Sequence, residues 1–139
     1  MDGDYVDASV TNPLPVQVVG QAAGGISIFN SLDIDETEED VKTSAGTVYG
    51  CWVTNTATST RWLKFYNATA TNVTVGTTTP VITIGIPGNA SDDISANFNA
   101  GGQGIAFSTA ISVAATTGFA VADTGAPGAN EVIVNVFFK

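Results

Sequence analysis

The sequence contains no histidine, a single cysteine and only four lysines and arginines in 139 residues. Without histidine, the commonest general base, the commonest metal ligand and the usual partner of a nucleophilic serine or cysteine are missing together. Hydrolysis by a Ser-His or Cys-His pair is therefore excluded. With Cys51 as the one thiol and no imidazole, a zinc site is not expected either, and no internal disulfide can form. Cys51 reads as a small buried hydrophobe beside Trp52, with a reactive or intersubunit thiol as the alternative. Basic residues are outnumbered by 13 acids, for a net charge of −9. Such a chain repels phosphate backbones and anionic lipid, so neither nucleic acid nor membrane is an expected partner. No apolar run approaches the ~20 residues of a membrane span. The opening "MDGDYVDASV" lacks the apolar segment of a secretory signal, so the chain is expected to be made and folded in the cytoplasm.

Charged residues of both signs are also scarce, at 12 % against ~25 % in typical soluble domains. Ser, Thr, Asn and Gly must supply the polar surface, a composition that suits turns and strands rather than long helices. Residues 1–20 read as an extended N-terminal arm, acidic at first and then stiffened by Pro13 and Pro15 in "NPLPVQVVG". Residues 21–139 read as one β-domain, long enough for a core without staples.

Short period-2 segments fill that domain. "ISIF" at 26–29, a short strand before a turn at Ser44–Gly46, 47–55 and 60–67 are expected strands, the last two as a hairpin. In 47–55, Tyr49, Cys51 and Val53 share one face, with Val48 and Trp52 on the other. "PVITIGI" places Ile82, Ile84 and Ile86 together. "ISANFN", "IAFS" and "AISVAAT" follow, then a possible short strand around Phe119 and Val121. "EVIVNVFF" puts Val132, Val134, Val136 and Phe138 on one face and is expected to be a central strand. The polar stretch "NATATNVTVGTTT" is too long for a tight hairpin and suggests a crossing between sheets, anchored by Val73 and Val75. A helical turn could sit at 33–40. The fold class is all-β, an antiparallel β-sandwich of jelly-roll-like type.

Few side-chain patterns point to chemistry. No phosphate-cradling glycine motif is present, and "GGQG" at 101–104 reads as a turn. The acidic run "DIDETEED" spaces Asp33, Asp35 and Thr37 like oxygen ligands. However, Glu38 stands where a calcium loop needs glycine, and the distal Glu is missing. It reads as a solvated or helix-starting loop, with a loosely held cation or a contact for a basic partner as alternatives. Asp92–Asp93 reads as a solvated turn. Asp123 and Glu131 are the isolated acids in apolar surroundings, but a glycosidase would need them paired across a cleft. Asn67, Asn72 and Asn89 stand in glycosylation triplets that arise by chance in so Asn- and Thr-rich a chain. Trp62, Lys64 and Tyr66 project from one side of their strand, opposite Leu63 and Phe65, which are expected in the core. The Trp62 row is expected to be covered by this chain or a neighbouring subunit, with ligand binding as the alternative.

The motifs "KTSAGTVYG", "NTATSTRWLKFYN" and "TVGTTTPVITIGIP", with "GIAFSTAISVAATTG", "ADTGAP" and "NEVIVNVFFK" after them, resemble a group of small virion accessory proteins of tailed bacteriophages. The likeness covers residues about 10–139 and carries no catalytic residue. It implies a non-enzymatic virion protein without cofactor or metal, a capsid decoration (cement) protein that bridges neighbouring capsid subunits. The implied partners are the major capsid protein or another virion protein and further copies of the chain, with a trimer expected. Contacts are expected from Pro13, Pro15, Val16 and Val18 of the arm, by strand addition to a neighbouring sheet, and from Trp62, Lys64 and Tyr66. A tail, fibre or receptor-binding module that recognises a host-surface glycan or protein is the alternative.

Overall fold

The structure, a computed structural model, describes residues 25–93 and 102–139. Strands β1 (Ser27–Ser31), β2 (Glu39–Lys42), β3 (Gly46–Asn55), β4 (Arg61–Tyr66), β5 (Ile82–Ile86), β6 (Ala90–Asp93), β7 (Ile105–Phe107), β8 (Ile111–Thr116) and β9 (Val132–Phe138) follow one another in the chain. The described residues contain no α-helix, only a 3-10 turn at Ala70–Asn72. The first sheet runs β1-β9-β3-β6, with β7 also pairing to β3. The second runs β2-β8-β4-β5. Every pairing is antiparallel.

The pairings are nested. The first strand pairs with the last, the second with the eighth, the third with the sixth and seventh, and the fourth with the fifth. A single long antiparallel ribbon rolled into two sheets gives this pattern, which is the jelly roll. As expected, β9 is internal, between β1 and β3.

Between the sheets lies the core. Val48, Cys51 and Val53 of β3, and Val132, Val134 and Val136 of β9, meet Leu63, Phe65, Ile111 and Val113 of the second sheet. Each such side chain contributes about 1.5–3 kcal/mol through removal from water. Ile82, Ile84 and Phe138 pack at the margin, on the faces that alternation assigns them.

Five expectations are corrected. Val48 does not face away from Cys51 and Val53, because a register shift between Val48 and Gly50 inserts an extra residue. That bulge reverses the alternation, and Val48 enters the core fully buried. The segments 47–55 and 60–67 form no hairpin, since β3 and β4 belong to different sheets and the chain crosses between them after Asn55. The polar stretch after β4 makes no such crossing, because β4 and β5 pair within one sheet from Arg61↔Ile86 to Phe65↔Ile82. Residues 33–40 form no helical turn, only a bend at 36–37 leading into β2, and 119–121 form no strand. The arm at 1–20 and the "ISANFN" segment lie outside the described residues.

The β3–β4 crossing is held by Asn55, which is 1 % exposed. Its amide nitrogen lies within hydrogen-bonding reach of the carbonyls of Ser59 (2.9 Å), Ile86 (2.9 Å) and Pro87 (3.2 Å). Its oxygen accepts from the Ala57 N–H at 3.0 Å. The Ala57 carbonyl in turn accepts from Asn89 N–H, and Thr56 N–H donates to the Glu131 carbonyl. Gly88 permits this approach, for a Cβ there would collide with the Thr58 carbonyl. One side chain thus ties the crossing to the β5–β6 turn, and the adjacent backbone ties it to the approach to β9. Asn55→Ala should lower stability by about 3 kcal/mol, since it strands several buried backbone groups. Asn55→Asp, which cannot donate to the carbonyls, should cost at least as much. Urea unfolding midpoints test both; a midpoint unchanged by either substitution would remove Asn55 from this role.

Candidate functional site

Alternation along β4 sends Trp62, Lys64 and Tyr66 to the outer face of the second sheet, away from the core. Two long connections of the chain's own backbone cover that face. The first, after β4, brings Val73 and Val75 against Tyr66 and Ala114 in a small outer cluster. The second, between β8 and β9, lays Phe119 against Trp62, with ring centroids 5.7 Å apart and planes tilted by 58°. Lys64 lies between these contacts, wholly buried, and its Nζ donates to the Ala120 carbonyl at 2.8 Å. The inner face of Trp62 rests on Gly85, where a Cβ would come within 2.8 Å of the ring.

Burial dominates the electrostatics of this row. Desolvation holds the Lys64 ammonium below the usual lysine range, and the negative charge of Asp123 offsets part of that. Desolvation and the Glu38 carboxylate push the Tyr66 phenol up to about 12. These shifts belong to groups buried under the covering loops.

The isolated and clustered acids act as internal ties. Asp123 accepts from the Gly118 and Gly125 N–H groups at 3.1 and 3.0 Å and so shapes the loop over Lys64. Glu131 accepts from Arg61 Nε at 2.7 Å and from Gly128 N–H at 2.8 Å. The Arg61 bond, followed by the Gly128 bond, holds its carboxyl below the usual range. The run at 33–40 is similarly occupied. Asp40 accepts from Ala70 N–H, Glu38 from Val75 N–H, Glu39 from Ser31, Asp35 from Thr37 N–H and Asp33 from Asn130 N–H. This corrects the reading of a merely solvated or helix-starting loop. Two of the run's carboxylates tether the covering loop after β4. Among the described residues no three acids or thiols converge as metal ligands. Asn67 and Asn72 also make structural bonds, to Ser108 and Thr69.

The outer face of the first sheet contrasts with this. Register places Ile28 beside Phe137, Asn30 beside Asn135, and Asn135 beside Trp52. Ile28 is 63 % exposed and Trp52 49 %. Ile133 and Phe137 are half-buried, and Asn30 and Asn135 bond to each other across the strands. Nothing among the described residues encloses this face.

The structure therefore brings Trp62, Lys64 and Tyr66 together, but under the chain's own loops. Lys64 and Tyr66 are closed to a second molecule, and Trp62 keeps only part of its surface. Pro13, Pro15, Val16 and Val18 lie outside the described residues. Sequence reading missed Trp52 as the exposed aromatic. Its place opposite Cys51 and Val53 was the available signal, because a core on that side leaves Trp52 outside.

The Tyr66 shift sets an alkaline prediction. The folded state holds this proton above the unfolded value of about 10, so between about 10 and 12 the unfolded chain binds fewer protons and stability falls as pH rises. Tyr66→Phe should remove that part of the decline, read from denaturant midpoints at a series of alkaline pH values. An unaltered slope would mean that the phenol is not shielded as described.

Compared with known proteins, the chain matches no family model, no curated protein and no solved structure.

Proposed function

We propose that the protein is a non-enzymatic structural accessory of a bacteriophage particle, a capsid decoration protein that docks on neighbouring subunits through the outer face of its first sheet. The observation that carries this reading is the unequal treatment of the two sheets. The second is clothed by two long loops pinned by buried or hydrogen-bonded polar side chains. On the first, no described residue encloses exposed Ile28 and Trp52 or half-buried Ile133 and Phe137, and an apolar face of this kind is a basis for docking on protein. The chain's ionisable groups support a non-enzymatic role, since the shifted ones are engaged in holding loops. The resemblance of the strand and turn motifs to virion accessory proteins points the same way. A decoration protein gains strength by repetition, so a modest face suffices when many copies bind.

Quantitative immunoblotting and immunogold labelling of purified virions test the assignment. Head labelling at on the order of hundreds of copies is expected for repeated bridging contacts. A few copies at the tail would transfer the protein to a tail or fibre role, and its absence from particles would end both. Ile28→Glu, at an exposed position, should leave the unfolding midpoint unchanged and sharply reduce occupancy on particles. Full occupancy with that variant would show that the first sheet is not the docking face.

A further inference from the structure

We propose a binding site for a neutral oligosaccharide at the margin of that same outer face, in the open groove beside Trp52 where β3 leaves the first sheet. The groove has a volume of about 300 Å³ and is lined by Thr54, Asn55, Thr56, Asn89, Ala90 and Ser91. None of these side chains is charged. Thr54 and Ser91 face each other across the β3–β6 pairing, their hydroxyl oxygens 2.9 Å apart. One of the two donates in that bond, so the pair retains a second donor and free acceptor positions. The Asn89 carboxamide is exposed and makes no hydrogen bond among the described residues. It offers two further donors and an acceptor.

Trp52 stands two residues before Thr54 on the same face of β3, half-exposed, with no ring or hydrogen-bond partner among the described residues. An exposed flat ring next to a row of neutral donors and acceptors matches the two surfaces of a sugar, its C–H face and its hydroxyl edge. An anionic ligand would find no positive charge in the groove and would meet a protein of net charge −9. A wholly apolar ligand would leave the amide and hydroxyls without partners. The groove is open rather than enclosed, which suits a segment of a glycan chain better than a single residue.

The site is also built on rigid backbone. Asn55 in its wall is fixed by the carbonyls of Ser59 and Ile86, and Asn89 N–H donates to the Ala57 carbonyl at 2.7 Å. Such preorganisation lowers the ordering cost of binding.

The test is a glycan array of neutral gluco-, manno-, galacto- and xylo-oligosaccharides beside acidic ones, followed by calorimetry on the strongest neutral binder. Binding to at least one neutral class is expected. Trp52→Ala should weaken it by about tenfold or more, the loss of one stacking contact, with the urea midpoint unchanged. Trp52→Phe should restore most of the affinity, and Asn89→Ala should weaken binding separately. Binding of no neutral class, binding of acidic glycans alone, or an affinity indifferent to Trp52→Ala would each overturn the proposal.

Discussion

The crossing of the chain between its two sheets depends on one buried amide. Asn55 ends β3 inside the sandwich, where a polar group without partners would be costly. It finds backbone partners in its own crossing and in the turn that follows β5. The requirement that all of these be met together fixes how the β3–β4 arch sits on the β5–β6 turn. From that point Arg61 begins β4 beside Glu131, and β4 carries Leu63 and Phe65 inward and Trp62, Lys64 and Tyr66 outward. A hydrophobic core alone would tolerate several arrangements at this end of the sandwich. The amide selects one.

The acidic composition takes on a different meaning in this frame. Charge is scarce in the chain, and several of its carboxylates, exposed or half-buried, accept from backbone N–H groups of neighbouring loops. Asp40 and Glu38 hold the loop over Tyr66, while Asp123 shapes the loop over Lys64. Charge-assisted bonds to backbone N–H groups are stronger than neutral ones, and they let loops rich in Thr, Gly and Ala keep one conformation without regular secondary structure. The second sheet therefore has its own outer layer, and among the described residues the first has none.

How much of this could be read in the sequence follows a physical division. Strands were legible because alternation is a local property. The valines of β9 and the isoleucines of β5 declared their faces at once. The partners of those strands were not legible, because pairing in a rolled ribbon joins residues far apart in the chain. Proximity of 47–55 and 60–67 suggested a hairpin that the buried Asn55 turns into a crossing. The bulge near Gly50 shifted Val48 to the other face, which no period-2 count can anticipate. The fate of Lys64 was half visible. Two connections longer than any hairpin requires flank the strands around it, and that surplus length is what covers the face. The exposure of Trp52 is not a local property, because alternation shows only that it lies opposite Cys51 and Val53 and not which side of β3 the second sheet covers.

The nested pairing also governs when the structure can exist. Strand β9 lies between β1 and β3, so neither can complete its hydrogen bonding until the most distal segment of the domain has arrived. During synthesis the earlier strands wait with their edges open, and only β4 and β5 have each other as near neighbours in the sequence. Folding dominated by such distant pairings is intrinsically slow, and half-made ribbons with bare edges are prone to associate. The net charge of −9 makes copies of the chain repel one another during that interval.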